Sequence, residues 1–353
     1  MMNFEEYAGK FALAAIYNGH DEAYIKRCLD YARPLAEKGL PIIYNTSHLS
    51  KLVGYKAEYL RSVAQFDKAY YWEYKIKKPN GAFRPIREPL PNLKDIQIWI
   101  LEHILYKIKV SGYAKAYVPG KRLKENVRFH KNRPMVLTLD LTDFFGSIKK
   151  EAVSVLFQEM GYTKPLSDLM SLLCCLEGKL PQGAPTSPYI SNIFMRDVDD
   201  EISRYCKEHQ IFYTRYADDM AFSGDFNVGE VVGLVKNLIS PKGLTLNDAK
   251  TKLMRRNQRQ IVTGIVVNEK IQLPKDKRRQ IRCQMHYINT FGLENHLKKI
   301  GCERRNYVRH LLGEVTYALS FTPNNEELKA YQAKLKELLK ALYTYKGNRS
   351  LHQ

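Results

Sequence analysis

The sequence lacks any apolar run long enough to cross a membrane. None of its hydrophobic stretches approaches the ~20 residues that a spanning helix needs, and its N-terminus lacks the basic start of a secretory signal. It also lacks paired cysteines, since its six cysteines include no C-x-x-C spacing of a zinc knuckle or disulfide framework. No internal repeat or low-complexity tract is visible. These absences favour a globular, cytoplasmic protein with reduced thiols.

Acidic residues are also in short supply. The 353 residues include 37 Asp and Glu against 56 Lys and Arg, which gives a formal net charge of +19. Such an excess predicts a polyanionic partner, with nucleic acid favoured over an anionic membrane surface. Residues 270–353 hold 17 of the basic and 7 of the acidic residues, a net charge of +10. We expect a basic helical tail there, whose surface suits a phosphate backbone and whose aromatic residues Tyr287, Phe291 and Tyr307 can stack on bases.

The stretch IFYTRYADDMAFSG, residues 211–224, carries the adjacent carboxylates Asp218 and Asp219 between two apolar runs typical of strands. Carboxylates side by side in a buried hairpin raise each other's pKa unless a counter-charge, usually a divalent cation, is present. The alternative is a solvated Asp-Asp turn. A second apolar strand, residues 134–140, ends at Asp140. We expect its carboxylate to converge with the other two around two divalent ions, as in-line phosphoryl transfer requires; an N-cap is the alternative for Asp140.

A basic hairpin and a Gly/Pro loop accompany the acids. Residues 70–78 and 82–87 alternate apolar and polar positions around Pro79-Asn80-Gly81, which predicts a hairpin. Its Lys and Arg residues suit a phosphate chain, although a solvated edge hairpin is an alternative. The loop LPQGAPTSP, residues 180–188, opens a helix whose N-terminus can hold a base or phosphate. The acids that follow are predicted to form a solvated face: Asp197, Asp199, Asp200 and Glu201.

Together these segments resemble a reverse transcriptase, and more narrowly the bacterial retron type. Five segments fall in the family's order: a K…NG…R hairpin, D-x-x-x-F-F, P-Q-G…S-P, Y-A-D-D and L-N…K-T. Their positions are 77–84, 140–145, 181–188, 216–219 and 246–251. The agreement covers residues 70–270 strongly and both ends weakly. Five segments in the right order make coincidence negligible.

The resemblance implies an α+β fold with a right-hand polymerase architecture. N-terminal helices and fingers would occupy residues 1–135, and a palm with an antiparallel sheet would occupy 136–268. A fingers insertion would lie within the palm at about 146–185. Residues 269–353 would form a basic helical thumb and RNA-binding region. The implied activity is RNA-directed DNA polymerisation by nucleotidyl transfer, with two Mg²⁺ ions.

The family's catalytic residues map onto this sequence one by one. By resemblance, Asp140 and Asp218 hold the two Mg²⁺ ions, and Asp219 supports them. Lys250 is the implied proton donor to pyrophosphate, with Lys252 as its substitute. The implied contacts to the incoming deoxynucleoside triphosphate are Lys77 and Arg84 at its phosphates, Gln182 in its pocket, and Phe145 beneath its sugar, where an aromatic ring leaves no room for a 2′-hydroxyl.

Two further segments match the retron subfamily. Asn126 and His130 fit an N-A-x-x-H segment, except that Val127 replaces the usual Ala, and residues 262–264 fit a V-T-G segment. Ordinary packing is the alternative for each segment alone. The resemblance and the basic tail imply a set of RNA-contacting residues. These are Asn126, His130, Val262, Thr263, Gly264, Arg278, Arg279, Arg282, Arg304 and Arg305.

Retron enzymes prime from a 2′-hydroxyl of their own structured non-coding RNA and make a branched RNA–DNA molecule, commonly with an effector protein encoded nearby in antiphage defence. The 85 residues after the palm are too few for a thumb and a nuclease, so host ribonuclease H would remove the template. One alternative is a group II intron-like or diversity-generating reverse transcriptase. Another is a catalytically silent RNA-binding scaffold, against which the three acids argue, because they oppose RNA binding unless metal is present.

Overall fold

The computed structural model describes residues 4–77, 81–304 and 306–349. Its helices are α1 Phe4–Tyr17, α2 Glu22–Glu37, α3 Thr46–Val53, α4 Ala57–Gln65, α5 Pro91–His103, α6 Leu123–Val127, α7 Phe144–Ser147, α8 Lys150–Met160, α9 Lys164–Cys174, α10 Ser187–Phe194, α11 Arg196–Glu208, α12 Val228–Ile239, α13 Lys275–Lys299, α14 Tyr307–Phe321 and α15 Glu326–Arg349. Its strands are β1 Tyr71–Lys77, β2 Phe83–Pro89, β3 Met135–Asp140, β4 Phe212–Tyr216, β5 Asp219–Gly224, β6 Lys252–Arg255, β7 Ile261–Val262 and β8 Ile265–Val266.

The central element is a four-stranded antiparallel sheet in the order β4-β5-β3-β6. Successive side chains of β3 point to opposite faces, so each face of the sheet meets a different hydrophobic cluster. Leu137 and Leu139 belong to the larger cluster, which is built mainly with helices α3–α5 and α8–α12. Val136 belongs to the second cluster, which the C-terminal helices α13–α15 complete. The sheet therefore joins the N-terminal and C-terminal parts of the protein.

The predicted basic hairpin is present as the two-stranded ribbon β1–β2, paired from Tyr71 with Pro89 to Lys77 with Phe83. The Pro79-Asn80 part of its turn lies outside the described residues. The pattern of residues 149–178 predicts helix, and the chain forms two helices there, because Gly161 ends α8 with a φ of +118° that a continuing helix cannot use. The loop at 180–188 opens α10 as predicted, with Pro188 in its first turn.

The apolar stretch at residues 262–268 predicts a single short strand, and this prediction is wrong. The chain forms a tight hairpin, β7–β8, in which Val262 pairs with Ile265 around Thr263 and Gly264. Both turn residues have positive φ, +45° and +80°, as two-residue hairpin turns of this kind require. The C-terminal tail is helical, as predicted, and α13 is interrupted at Gly292. Within the described residues, no helix has the length and apolarity to cross a membrane.

Candidate polymerase active site

The three predicted acids lie at one edge of the central sheet. Asp140, the last residue of β3, pairs in register with Asp219, the first residue of β5. Ala217 and Asp218 form the turn between β4 and β5, and Ala217 adopts a φ of +60°. The Asp218 carbonyl accepts a hydrogen bond of 3.2 Å from the amide of Leu141, which ties this turn to the end of β3. Pairing of antiparallel strands thus brings together carboxylates that lie far apart in the sequence.

Lys250 supplies the nearest countercharge to these acids. Its Nζ lies 2.7 Å from Oδ1 and 3.0 Å from Oδ2 of Asp140, whose side chain is largely buried. The hydrogen bond to Asp140 raises the pKa of Lys250. Desolvation and the nearby Asp218 and Asp140 raise the pKa of Asp219 to about 6, and desolvation also raises the pKa of Asp218. One ammonium group therefore leaves the negative charge of the three acids only partly balanced.

A divalent cation fits the chemistry of this edge, although the ligands are not assembled. Among the described residues, no three His, Cys, Asp or Glu side chains are arranged to hold a metal ion, so the metal site remains a prediction. The Asp140 carboxylate instead forms an ion pair with Lys250. Carboxylate oxygens are nevertheless the ligands that Mg²⁺ prefers, and a cation would offset the desolvation and the repulsion between carboxylates that together raise the pKa of Asp219.

A buried ion pair lies directly behind the acidic turn. Arg215 and Asp199 are both without solvent exposure, and two hydrogen bonds of 2.8 and 2.7 Å join the guanidinium to the carboxylate. The Tyr213 hydroxyl donates to the same carboxylate, and Arg215 Nη1 donates to the Ala217 carbonyl at 2.9 Å. The prediction of a solvated face is therefore wrong for Asp199. An arginine inside the apolar strand was the sequence signal for a buried acid partner.

A cleft of about 830 Å³ opens on the fingers side of the acids. Its lining includes Arg84, Phe145, Gln182 and Lys250, which brings together most of the residues predicted to bind the nucleotide. Lys77 is not among the described residues that line it. Because Lys77 pairs with Phe83, and Arg84 with Ile76, the two cations project from opposite faces of the β1–β2 ribbon.

Tyr117 also lines this cleft, although none of the sequence motifs includes it. It belongs to the loop before α6, in a Val-Pro-Gly context that by itself predicts only a turn. Its ring centroid lies 6.4 Å from that of Phe145. The only local signal for Tyr117 was a large aromatic residue beside Pro and Gly in a loop.

A second cavity, of about 540 Å³, lies on the other side of the acids and brings the two retron segments together. Its lining includes Asn126, Asp140, Asp219, Lys252 and the β7–β8 turn. Asn126 Nδ2 donates a 3.2 Å hydrogen bond to Oγ1 of Thr263. Asn126 and Val262 are buried, whereas Thr263 is half-buried and Gly264 is exposed. Of the RNA contacts predicted in the two segments, Thr263 and Gly264 are therefore the ones that a nucleic acid can reach.

The buried position of His130 does not fit the predicted RNA contact. The ring has no solvent exposure, and its two nitrogens hydrogen-bond to the Ser223 and Thr214 hydroxyls at 2.7 and 2.8 Å. Burial lowers the pKa of His130 to about 3, so the ring is neutral at pH 7. His130 thus joins β4 to β5 beneath the acidic turn. Its role in this conformation is to support the site.

The predicted basic surface of the tail is only partly present. Arg279, Arg282 and Arg304 are exposed, whereas Arg278 is half-buried and donates to the Leu273 carbonyl. Arg305 lies outside the described residues. The stacking role predicted for Tyr307 is wrong, since this residue is buried and its hydroxyl hydrogen-bonds to His296. Phe291 is 53% exposed and remains available to a base.

Known proteins similar to this chain agree with these features. Residues 76–290, more than half of the chain, match the family model "Reverse transcriptase (RNA-dependent DNA polymerase)". Retron Ec86 reverse transcriptase of Escherichia coli is 29% identical over 309 residues, covering 86% of this chain and 93% of that protein. Retron Ec83 reverse transcriptase of the same species is 30% identical, and the match covers 72% of this chain and 84% of that protein. Retron Mx65 reverse transcriptase of Myxococcus xanthus is 29% identical and covers 85% and 74%.

A solved foamy viral protease-reverse transcriptase superposes with a TM-score of 0.41 at 16% identity, over 78% of this chain and 45% of that one. The sequence matches carry the assignment, and the fold is that of a right-hand polymerase. The sequence matches confirm the resemblance to retron reverse transcriptases that the five motif segments predicted. The chain belongs to the reverse transcriptase family of RNA-directed DNA polymerases and, within that family, to the retron reverse transcriptases.

Proposed function

We propose that this reverse transcriptase copies part of its own structured non-coding RNA into DNA, priming from an RNA 2′-hydroxyl to give a branched RNA–DNA molecule. Its similarity to retron enzymes over 86% of the chain supports the proposal. The observation that carries it is the in-register pairing of Asp140 with Asp219 beside the Ala217–Asp218 turn, which keeps all three acids together at one edge of the central sheet.

Enzymes of this family use divalent metal ions. We assign two Mg²⁺ ions to Asp140 and Asp218, with Asp219 in support. When bound, the ions activate the attacking hydroxyl and neutralise the triphosphate. Lys250, whose raised pKa keeps it protonated at pH 7, is the proposed proton donor to the leaving pyrophosphate. Its hydrogen bonds to Asp140 hold the ammonium group beside the cleft.

The cleft on the fingers side is the proposed site of the deoxynucleoside triphosphate. Arg84 binds its phosphates, Gln182 lines the base pocket, and Phe145 excludes a 2′-hydroxyl. Lys77 remains a predicted second phosphate contact, and it would require rotation of the hairpin because it projects from the opposite face to Arg84. Residues 1–135, 136–268 and 269–353 are the proposed fingers, palm and thumb, with the fingers insertion at about 146–185.

The structured RNA is proposed to run along the β7–β8 turn and the basic tail. Exposure supports this route for Gly264 and for the arginines of α13 and the loop that follows it: Arg279, Arg282 and Arg304. Thr263 and Arg278 are half-buried at its edge, and Arg305 remains a predicted contact. The buried Asn126, His130 and Val262 support this surface from beneath.

The same proposal includes the partners that a retron enzyme needs. Deoxynucleoside triphosphates and the structured RNA are the substrates, host ribonuclease H removes the copied template, and an effector protein encoded nearby completes an antiphage system. We place this assembly in the bacterial cytoplasm, without a membrane component.

Primer extension on an RNA template with Mg²⁺ tests the catalytic assignment. The double variant Asp218→Asn, Asp219→Asn is expected to lose at least about a thousandfold in incorporation, because removal of central catalytic groups typically costs that much or more. Asp225→Asn is a matched control, since Asp225 is an exposed acid just beyond the opposite end of β5. Full activity in the double variant would rule out these acids as the metal ligands.

Sequencing the nucleic acid that co-purifies with the protein tests the retron product. We expect DNA joined covalently through a 2′ linkage to a small RNA, and we expect the DNA strand to be absent from variants in which Asp218 and Asp219 are replaced. An active preparation that carries only linear DNA would contradict priming from a 2′-hydroxyl and leave the polymerase assignment standing.

A further inference from the structure

Tyr117 is held in a backbone conformation that bulky side chains avoid. Its φ is +61°, in the left-handed region that favours glycine. The side chain is 45% exposed, so burial contributes little to offset the strain. Strained residues persist only where the surrounding structure determines them, and they cluster at functional sites. The feature therefore calls for a function that needs this ring at this place.

Backbone contacts on the preceding segment fix the position of Tyr117 relative to the acids. The Lys115 amide donates a 2.8 Å hydrogen bond to the Arg215 carbonyl, and the Arg215 amide donates to the Tyr113 carbonyl at 2.9 Å. Ala116 is buried, and its carbonyl accepts 2.8 Å from Asn192 Nδ2. These contacts attach the loop to β4, the strand that leads into the Ala217–Asp218 turn. The position of the loop is therefore fixed relative to the Ala217–Asp218 turn.

The Tyr117 ring lies among groups of the polymerase cleft. Its centroid is 6.4 Å from that of Phe145, with the two rings inclined by 51°. Desolvation, together with the charge of Asp218, raises the pKa of Tyr117, so its hydroxyl stays protonated at pH 7. Two aromatic rings and the Arg84 guanidinium thus line the same cavity of about 830 Å³. Flat apolar surfaces beside a cation suit a nucleoside with an attached phosphate chain.

We propose that Tyr117 is a substrate-contacting residue of the polymerase site, whose ring packs with Phe145 against the base and sugar of the incoming deoxynucleoside triphosphate. The inference rests on the proposed nucleotide cleft and adds a residue from a different loop to it. A ring fixed to β4 presents a constant surface to the base and sugar, apart from the Arg84 cation that binds the phosphates. Tyr117 thereby sets nucleotide affinity more than the chemical step.

A stable ternary complex separates binding from chemistry. The protein is assembled with an RNA template and a DNA primer that ends in a dideoxynucleotide, and the Kd of the next deoxynucleoside triphosphate is measured with Mg²⁺. Tyr117→Ala is expected to raise this Kd about tenfold, the size expected for loss of one aromatic stacking partner. Tyr117→Phe keeps the ring and should stay within about threefold. Tyr106→Ala, which changes a tyrosine of similar exposure outside the cleft, is the control.

Thermal unfolding distinguishes a substrate contact from a structural role. Tyr117→Gly relieves the positive φ, so its Tm should equal or exceed that of the wild type while its Kd rises as in Tyr117→Ala. A Kd for Tyr117→Ala within twofold of wild type would overturn the inference while leaving the polymerase assignment intact. A wild-type protein that neither binds the nucleotide in this complex nor extends an unblocked primer would overturn the proposed function, and the inference with it.

Discussion

Arg215 and Asp199 couple the interior of the protein to its catalytic turn. The pair has no solvent exposure, and the guanidinium reaches past the carboxylate to the Ala217 carbonyl, which precedes Asp218. A positive φ at Ala217 is unfavourable for a residue with a side chain, so a donor to its carbonyl helps to hold the turn. The ion pair therefore stabilises the conformation that presents Asp218.

Removal of one member of this pair is expected to be severely destabilising. Asp199→Ala leaves the Arg215 charge buried and unpaired, which should lower the free energy of unfolding by about 3–5 kcal/mol. Glu201→Ala breaks the exposed pair with Arg204 and should cost less than about 1 kcal/mol. Denaturant unfolding of the two variants checks this difference.

The double variant Asp199→Leu, Arg215→Met separates stability from positioning. It removes both charges together, so it should recover much of the lost free energy. Incorporation should remain low, because the Ala217 carbonyl still lacks its donor. Wild-type incorporation in a stable double variant would show that the pair has no positioning role.

Single residues were predictable from the sequence when their chemistry is local to a motif. The Y-A-D-D turn and the acid that ends β3 lie where alternation and turn signals placed them. Asp199 could not be recognised in the same way, since its partner Arg215 lies on a strand that begins beyond the end of α11. His130 and Tyr307 are of residue types that often contact nucleic acid. Tertiary packing buries both of them, and the local sequence does not show this.

At the scale of elements, the P-Q-G loop, residues 181–183, contacts the β1–β2 ribbon. The Arg87 amide donates a 2.7 Å hydrogen bond to the Gln182 carbonyl, and Gly183 follows with a φ of +131°. A Cβ at Gly183 would lie 2.5 Å from the Arg87 carbonyl oxygen, closer than such atoms approach. Only glycine lets the loop and β2 meet at this distance, so the loop positions Gln182 and the ribbon together.

Gly183→Ala is expected to separate the loop from β2 and lower nucleotide incorporation by roughly tenfold to a hundredfold, because a misplacement of about 1 Å has effects of that size. Gly178→Ala is the control for loss of a positive-φ glycine in open space, since its φ is +72° and no atom lies within 4 Å of the added Cβ. The primer-extension rates of the two variants are compared at equal concentrations of folded protein. Equal rates for the two variants would mean that the close approach to Arg87 has no role in the site.

Elements were predictable where periodicity is strong, as in the β1–β2 ribbon and the C-terminal helices. The β7–β8 hairpin was missed because a valine-rich stretch reads as one strand, and a threonine at positive φ gives no turn signal. The break in residues 149–178 at Gly161 was missed because an isolated glycine within a helical pattern is often tolerated.

At the scale of the whole molecule, the palm sheet and the basic tail share one hydrophobic cluster. Val136 and Ala221 on the sheet pack with the β7–β8 hairpin and with buried residues of α13, α14 and α15, such as Met285, Leu311 and Leu335. No motif in the sequence predicts this packing, because each contact joins segments that are distant in the chain. A substitution in the tail can therefore affect the position of the acids, as well as the binding of any RNA to the surface of the tail.

Charge on α13 is expected to control RNA affinity through counterion release. Arg279→Ala, Arg282→Ala removes two exposed cations and should reduce the slope of log Kd against log salt by about 1.5, since each phosphate contact contributes about 0.7–0.9. The control Lys26→Ala, Arg27→Ala removes the same charge from the exposed face of α2, so both variants have an equal net charge. Filter binding of the co-purified RNA at several salt concentrations gives both slopes. Equal slopes would mean that the overall charge of +19, rather than a contact along α13, drives binding.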